Sequence, residues 1–270
     1  MFSYLGGKKF QSKWISSHFP KNDIYVEPFG GAFWVYFQSG INSQRNIYND
    51  KNRYLANLFH CAVFYREKLL EDLKKFKPQD RKLFEDIKKE LVPLTYDVEL
   101  GDTKQAAKYI YIELNTFSGL TIENAKFVDL KGKYKSKYTQ LIEKLENPKW
   151  QFKLDNIDKV DNDSYDNVIK RYDSEHTLFY CDPPYFEKEN YYTKEFNQSE
   201  HLKLSNLLKS IKGKFILSYY NFPQLSKWYP KNEYNWSFKE FNKQNSSKDI
   251  GTNKGEEILI TNFKSALTLE

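Results

Sequence analysis

The tetrapeptide Asp182-Pro183-Pro184-Tyr185 joins a carboxylate, two stiff backbone units and an aromatic ring directly after an apolar run. That run, residues 177–181, has the β-branched and aromatic content of a buried strand, which places Asp182 at the strand's carboxyl end. Prolines there prevent further strand pairing and direct carbonyl groups into a cleft. Ligands bind at this edge of open α/β sheets. The tetrapeptide therefore indicates a functional site, although a strand stopped by prolines is the simpler interpretation.

A second group of chemically suited residues lies near the amino terminus, where Glu27-Pro28-Phe29-Gly30-Gly31 separates a predicted strand from a predicted helix. Glycines at such a turn let the backbone approach a ligand closely. Asp50 ends the next predicted strand, about twenty residues further on, where an acid can pair with ribose hydroxyls or cap a helix.

The sequence does not match either of two common phosphate-binding motifs, the dinucleotide-binding pattern and the phosphate loop. The G-x-G-x-x-G spacing is missing, and Gly6-Gly7-Lys8 fails the phosphate-loop spacing because Phe2 stands at the first glycine position and Lys9 follows Lys8. A nucleoside cofactor without phosphates, such as S-adenosylmethionine, fits an acid and close glycines better.

A basic stretch precedes the tetrapeptide. Residues 126–137 contain five lysines and one aspartate, interleaved with Phe127 and Tyr134. This composition suits the phosphate backbone of a nucleic acid. A solvated lysine-rich face explains it equally well.

The elements that must position these residues alternate between strands and helices. Helices are predicted over residues 9–19, 32–39, 52–76 and 197–211, the last with N-cap spacing at Asn197. Strands are predicted over residues 23–27, 46–49, 177–181, 214–219 and 256–263. After an interruption the α/β alternation resumes with a strand over residues 150–155 and continues with a helix around residues 157–170. Residues 186–196 are expected to form a mobile loop beside the site.

The interruption, between about residues 78 and 149, shows helical patterns at residues 81–91 and 103–115 and then the lysine-rich stretch. No buried parallel strand is evident there. We interpret it as an insertion, mostly helical with a possible hairpin.

Composition bounds the class of protein. A chain of 270 residues with 40% hydrophobic residues can bury a good core, and its formal net charge is +6. Without an apolar run long enough for a bilayer, an intracellular, cytoplasmic protein with no membrane partner is expected. Cys61 and Cys181 lie in apolar segments, so we expect core residues and neither a disulfide framework nor a metal site.

Six stretches together resemble the Dam-like class of DNA adenine-N6 methyltransferases, an alpha-group family with a DPPY motif. They are Tyr4-Leu5-Gly6-Gly7-Lys8, Val26-Glu27-Pro28-Phe29-Gly30-Gly31-Ala32, Asn49-Asp50-Lys51-Asn52, Asn115-Thr116-Phe117-Ser118-Gly119, Asp182-Pro183-Pro184-Tyr185 and Glu257-Ile258-Leu259-Ile260-Thr261-Asn262-Phe263. Their order also matches, and they span nearly the whole chain.

The resemblance implies an α/β, Rossmann-like methyltransferase fold, with a mixed, mostly parallel sheet and helices on both faces. The catalytic domain would comprise residues 1–55 and 150–270, and an inserted, mostly helical target-recognition domain residues 56–149. The implied activity is site-specific methyl transfer from S-adenosylmethionine to the N6 amino group of adenine in double-stranded DNA.

The resemblance also implies roles for individual residues. The cofactor-binding residues would be Tyr4, Gly6, Lys8, Glu27, Pro28, Phe29, Gly30, Asp50 and Asp182. The catalytic residues would be Asp182, Pro183, Pro184 and Tyr185. The DNA-binding residues would be Asn115, Thr116, Ser118, Lys126, Lys131, Lys133 and Lys135.

Two positions depart from the family pattern. Tyr4 stands where the family often has Trp. Members that read GATC tend to carry Asn-Gly-Leu and an Arg-Tyr-Asn-like hairpin, whereas Ser118-Gly119-Leu120 is followed here by Thr121-Ile122-Glu123-Asn124. This difference disfavours GATC as the recognition sequence.

The chemistry of the tetrapeptide suits an exocyclic amino group. The Asp182 carboxylate could accept one N–H and the Pro183 carbonyl the other, freeing the nitrogen lone pair for direct attack on a methyl group. Tyr185 would stack on a base flipped out of the duplex. No obvious Cys or His nucleophile is present, which fits transfer without a covalent enzyme intermediate.

The sequence is also compatible with other functions. The same chemistry could act on another planar nitrogen, such as a glutamine amide or an RNA base, and the fold could serve a non-catalytic nucleic-acid-binding protein. Asp182 in first position and the basic insertion favour a DNA base. A cognate restriction enzyme is a possible partner. A monomer or a weak dimer on DNA is expected, in association with the nucleoid.

Overall fold

The computed structural model describes residues 7–39, 43–91, 99–116, 122–129, 136–186, 196–242 and 254–265. The described residues form a seven-stranded sheet. Its strands are β1 Ile24–Glu27, β2 Arg45–Asn49, β3 Lys159–Asp161, β4 Thr177–Cys181, β5 Lys214–Tyr219, β6 Asn235–Asn242 and β7 Lys254–Thr261.

The spatial order of the strands is β3-β2-β1-β4-β5-β7-β6. Strands β1 to β5 pair in parallel, whereas β7 runs antiparallel to both β5 and β6. The chain runs outward from β1 in one direction and from β4 in the other. The topological switch point therefore lies between β1 and β4, where the carboxyl ends of strands in open sheets bind ligands.

The helices are α1 Ser12–Ser17, α2 Trp34–Ser39, α3 Arg53–Phe64, α4 Arg66–Lys74, α5 Arg81–Leu91, α6 Thr103–Leu114, α7 Lys137–Glu146, α8 Pro148–Asp155, α9 Tyr165–Tyr172, α10 Gln198–Ser210 and α11 Leu225–Trp228. Side chains cap several of them. Asn52 accepts from the Leu55 backbone N–H, and Asn197 accepts from those of Ser199 and Glu200.

Two apolar cores lie on opposite faces of the sheet because successive strand residues point to opposite sides. Tyr25 and Tyr180 belong to one core, which also contains buried residues of α1 to α8. Val26 and Phe179 belong to the other, with buried residues of α9, α10 and α11. The expected mixed, mostly parallel sheet with helices on both faces is confirmed.

The insertion shares the first of these cores. Helix α6 packs against α3, α4, α5 and α7, and its buried residues continue into the same cluster as Tyr25 and Tyr48 of the sheet. Helix α3 begins before residue 56 and contacts β3. The division at residues 56 and 149 stays a prediction.

Several predicted elements need correction. Residues 52–76 form two helices, interrupted at Tyr65, whose φ of −134° is not helical. Residues 150–155 belong to α8, because Pro148 in the first turn and the Asn147 cap start a helix there, and β3 follows at residues 159–161. The helix expected around residues 157–170 begins only at Tyr165. Strand β6 was not predicted.

Other expectations fall partly or wholly outside the described residues. The expected mobile loop lies almost entirely there, at residues 187–195. Of the possible hairpin, the structure describes an antiparallel bridge between Thr116 and Phe127. Both cysteines are buried and free, as expected of core residues. Among the described residues no helix combines the length and apolar character needed to cross a bilayer.

Candidate active site

Four side chains from distant parts of the chain meet beside the carboxyl end of β4. Lys8, in the turn before α1, donates from Nζ to Asp182 Oδ1 at 2.8 Å and to the Tyr185 hydroxyl at 2.6 Å. The Tyr185 hydroxyl donates to Glu257 Oε1, on β7, at 2.7 Å. Lys8 Nζ also lies 3.6 Å from Glu257 Oε1. We call these four residues the Lys8 cluster.

The Lys8 cluster carries one positive charge against two carboxylates. Burial by itself lowers the pKa of Lys8, but Asp182 and Glu257 outweigh it and raise that pKa above the ordinary value. Lys8 is therefore held in its charged form. Burial raises the pKa of Asp182 to about 6, with Lys8 opposing the rise and Glu257 adding to it. The Asp182 side chain is 18% exposed, so its carboxylate can reach a ligand.

The Tyr185 ring lies at the edge of the cluster and is partly exposed. Lys8 Nζ is 4.7 Å from the centroid of this ring. The Tyr220 ring also lies near it, with 5.3 Å between the two ring centroids and an angle of 52° between the ring planes. Within the same turn Pro183 is buried and Pro184 is partly buried.

Asp50 lies after β2 and holds the glycine turn that follows β1. Its Oδ2 accepts from the Gly31 N–H at 2.9 Å and its Oδ1 from the Asn52 N–H at 2.7 Å. Burial raises the pKa of Asp50 to about 6, against the opposing effect of these two N–H groups. Each carboxylate oxygen can accept a further hydrogen bond. Asp50 therefore presents two adjacent acceptors at the sheet edge, which suits a ribose diol.

Gly30 is required by packing within the fold. A Cβ at this position would lie 2.4 Å from the Tyr48 ring and 2.8 Å from the Asn49 carbonyl oxygen. The Gly30 N–H donates to that same carbonyl at 2.7 Å. The close approach of the β1 turn to β2 thus explains this glycine, and its contact with a cofactor stays a prediction.

The other residues of this turn are also held by contacts within the protein. Glu27 is buried and accepts at Oε1 from the Tyr25 hydroxyl at 2.6 Å and the Tyr36 N–H at 3.2 Å. Burial raises the pKa of Glu27 well above its ordinary value. The Pro28 carbonyl accepts from Asn49 Nδ2, and Phe29 stacks on Tyr165 at 5.1 Å between centroids.

The predicted DNA-binding residues are only partly described. Asn115 is buried, donating to the Tyr111 carbonyl and accepting from Gln79. Thr116 is buried too, and its hydroxyl bonds both the N–H and the carbonyl of Lys126. Both side chains therefore form hydrogen bonds within the protein beside the Thr116–Phe127 bridge, whereas the side chain of Lys126 is exposed. Tyr4, Gly6, Ser118, Lys131, Lys133 and Lys135 lie outside the described residues.

Glu257 falls in the last predicted strand and in the family pattern, but the sequence assigned no role to it. Its position carried a signal, because Glu257 and the core residue Leu259 point to the same face of β7. A carboxylate on the inward face of an interior strand needs a partner. Among the described residues, no group of three or more His, Cys, Asp or Glu side chains could hold a metal ion.

The fold and the site define a class. A parallel sheet with an antiparallel β7, a partly exposed acid after β2 and an Asp-Pro-Pro-Tyr turn after β4 are the features of a Rossmann-like methyltransferase.

Comparison with known families identifies the particular group. The model of the D12 class N6 adenine-specific DNA methyltransferases matches residues 4–249, nearly the whole chain. The chain belongs to this family and is an adenine-specific DNA methyltransferase.

Similarity to individual proteins is more distant. The chain is 23% identical over 220 residues to the type II methyltransferase M.CviBI of Paramecium bursaria Chlorella virus NC1A, covering 79% of this chain and 80% of that protein. Among solved structures it is similar to precorrin-8W decarboxylase of Methanobacterium thermoautotrophicum, with 10% identity and a TM-score of 0.39 over 95% of this chain and 89% of that one. The latter likeness is too low to inform function.

Proposed function

We propose that this enzyme takes its methyl group from S-adenosylmethionine and transfers it directly to the N6 nitrogen of an adenine flipped out of double-stranded DNA. Methyltransferase families generally use this cofactor. The observation that carries the proposal is the partly exposed Asp182 carboxylate, paired with Lys8 beside the Tyr185 ring. No side chain of this set needs to form a covalent bond to the base.

Residues of the β1 and β2 turns fit the cofactor. Asp50 offers two acceptors to the ribose hydroxyls. Lys8, in the turn before α1, meets Asp182 at the carboxyl end of β4. When bound, S-adenosylmethionine supplies an electrophilic methyl group on a sulfonium. Tyr4, Gly6, Glu27, Pro28, Phe29 and Gly30 complete the proposed cofactor-binding set.

Asp182 and the Pro183 carbonyl orient the amino group. Each accepts one N–H, so that the nitrogen lone pair leaves conjugation with the ring and points at the methyl group. With the cofactor bound, an N–CH₃ bond would form as the cofactor's S–CH₃ bond breaks, leaving the electron pair of that bond on the sulfur. The nitrogen then sheds one proton, for which ionised Asp182 is the nearest acceptor. Pro184 stiffens this turn.

Tyr185 provides the surface on which the flipped base stacks. Its partly exposed ring is held at the hydroxyl end by two hydrogen bonds. A flipped base needs such a surface to replace the stacking it loses in the duplex.

The insertion, residues 56–149, is the part of the chain that we assign to DNA recognition. Lys126, Lys131, Lys133 and Lys135 contact phosphates, and Asn115, Thr116 and Ser118 lie close to the DNA. Exposure of Lys126 beside the Thr116–Phe127 bridge supports this assignment. The name of the viral relative as a type II methyltransferase supports a restriction–modification role with a cognate endonuclease. The enzyme acts on DNA as a monomer or a weak dimer.

A tritiated-methyl assay on mixed-sequence genomic DNA tests the proposal. The Asp182→Ala variant should lose methyl transfer while its thermal unfolding stays cooperative. The matched control is Glu175→Gln, an exposed acid at the opposite end of β4, which should behave as the wild type. Undiminished transfer by Asp182→Ala, or label recovered on cytosine instead of N6 of adenine, would overturn the proposed mechanism.

A further inference from the structure

Glu257 is a buried acid on an interior strand. Its side chain is 4% exposed, and β7, on which it lies, is flanked by β5 and β6. An ionised carboxylate in such a place is costly unless charged and hydrogen-bonding partners offset its desolvation. The partners are Lys8, 3.6 Å away, and the Tyr185 hydroxyl, 2.7 Å away. Both belong to the Lys8 cluster.

Hydrogen bonds of the Tyr185 hydroxyl orient its ring. Its hydroxyl accepts from Lys8 Nζ at 2.6 Å and donates to Glu257 Oε1 at 2.7 Å. Hydrogen bonds to both Lys8 and Glu257 hold the Tyr185 ring in one orientation. Without them the side chain could adopt other rotamers. Glu257 supplies the acceptor in this pair. Without it the Tyr185 hydroxyl loses this acceptor.

The positive charge of Lys8 is shared by two carboxylates. Its ammonium group lies between Asp182 and Glu257, with Nζ 2.8 Å from Asp182 Oδ1 and 3.6 Å from Glu257 Oε1. Because Glu257 shares the positive charge, Asp182 is not its sole counter-ion. An Asp182 carboxylate bound less strongly by Lys8 is a better acceptor for an incoming amino group.

We propose that Glu257 is a positioning residue for methyl transfer, which rests on the function proposed above. It fixes the Tyr185 ring through the hydroxyl and shares the charge of Lys8, so that Asp182 stays available to the adenine amino group. Glu257 itself touches neither base nor cofactor.

Other charged and titratable groups also surround Asp182. The groups that interact with Asp182 are Lys8 in the turn before α1, Glu27 on β1, Tyr180 on β4, Tyr219 on β5 and Glu257 on β7. Tyr180 and Tyr219 have pKa values raised well above the ordinary range, chiefly by burial, and stay neutral in the working range. Glu27, whose pKa burial raises, lies against Tyr25 and the Tyr36 N–H.

Two substitutions separate the two parts of the proposal. In Glu257→Gln the amide oxygen still accepts from the Tyr185 hydroxyl, but the negative charge is gone. In Glu257→Ala both are removed. Glu256→Gln is the matched control, because Glu256 is the neighbouring residue of β7 and is exposed.

The first experiment needs neither DNA nor turnover. Protein labelled with ¹³C at aspartate carboxyl carbons is titrated by NMR, and the Asp182 resonance is assigned with Asp182→Asn. We expect the proton affinity of Asp182 to fall about tenfold in Glu257→Gln, because a neighbouring negative charge is removed. Glu256→Gln should titrate like the wild type. A Glu257→Gln titration identical to that of Glu256→Gln would overturn the charge-sharing role.

The second experiment measures methyl transfer. Glu257→Gln should lower kcat about threefold at pH 8, because Lys8 then holds Asp182 more strongly, with the acidic limb of the pH profile moved to lower pH. Glu257→Ala should lose on the order of 100-fold in kcat, since the ring is no longer aligned, with an unchanged KM for the cofactor. Wild-type kcat in Glu257→Ala would overturn the ring-positioning role. Because the titration is independent of turnover, a protein without methyl transfer would contradict the proposed function and leave the titration readable.

Discussion

Lys8 Nζ and Asp182 Oδ1 lie 2.8 Å apart although 174 positions separate the two residues in the chain. Lys8 is 7% exposed and is held between Asp182 and Glu257. This contact joins the turn before α1 to the carboxyl end of β4. It links the motif that resembles a cofactor-binding segment with the motif to which we assign the chemistry.

Replacing Lys8 should cost both stability and activity. Lys8→Met leaves the buried Glu257 and the partly exposed Asp182 carboxylates without this cation, and loss of one partner of a buried ion pair destabilises by roughly 3 kcal/mol. Denaturant unfolding at pH 7 measures this change. Lys9→Met, an exposed neighbour, is the control and should unfold like the wild type. Equal unfolding midpoints for the two variants would contradict the structural role of the ion pair.

Methyl transfer should decline in acid because Asp182 must be ionised to accept an N–H. Its pKa is raised from 3.8 to about 6, so the ionised fraction falls as the pH drops through about 6 and is nearly complete at pH 8. We expect kcat/KM to follow this fraction in a pH series at constant ionic strength. A rate that stays level down to pH 5 would contradict the assignment.

Cofactor affinity should depend on Asp50. Asp50→Ala removes two charged acceptors from the ribose, which we expect to weaken binding about 30-fold, or ~2 kcal/mol. Isothermal calorimetry with S-adenosylmethionine measures the effect. Asp23→Asn, at the amino end of β1, is the control. Affinity equal to that of the control would exclude Asp50 from the ribose site.

The pKa of about 6 for Asp50 adds a pH signature to cofactor binding. Above that pH the carboxylate is ionised and accepts from the ribose, and below it one oxygen carries a proton. Wild-type affinity should therefore weaken below pH 6, whereas the affinity of Asp50→Asn should vary less. Calorimetry at pH 5 and pH 8 compares the two.

The lysines of the insertion should set the salt dependence of DNA binding. Changing Lys126, Lys131, Lys133 and Lys135 together to Gln should lower the slope of log K against log salt by about 0.9 for each phosphate that is no longer neutralised. Fluorescence anisotropy with a labelled duplex across a salt series measures the slope. The control changes four exposed lysines elsewhere in the chain, Lys159, Lys170, Lys209 and Lys212. Equal slopes in the two quadruple variants would identify the stretch as a solvated face.

Local patterns predicted much of the fold. Helix α5 was expected over residues 81–91 and forms there, because its apolar residues recur at helical spacing. Strand β5 likewise follows its apolar run. The prediction for residues 150–155 was wrong because a short mixed segment fits either period, and the proline and cap that start α8 outweigh it.

The parts of the site that are contiguous in the chain could be predicted from the sequence: the proline-stiffened turn at Asp182, the glycine turn after β1 and the acid at Asp50. Stiff turns, glycine freedom and strand ends are local properties, so residue type and spacing reveal them. The contact of Glu257 with Lys8 and Tyr185 could not be predicted in this way, because it forms only when distant strands pair. That arrangement depends on the antiparallel insertion of β7 beside β5, and pairing between distant strands is settled by burial of the whole sheet.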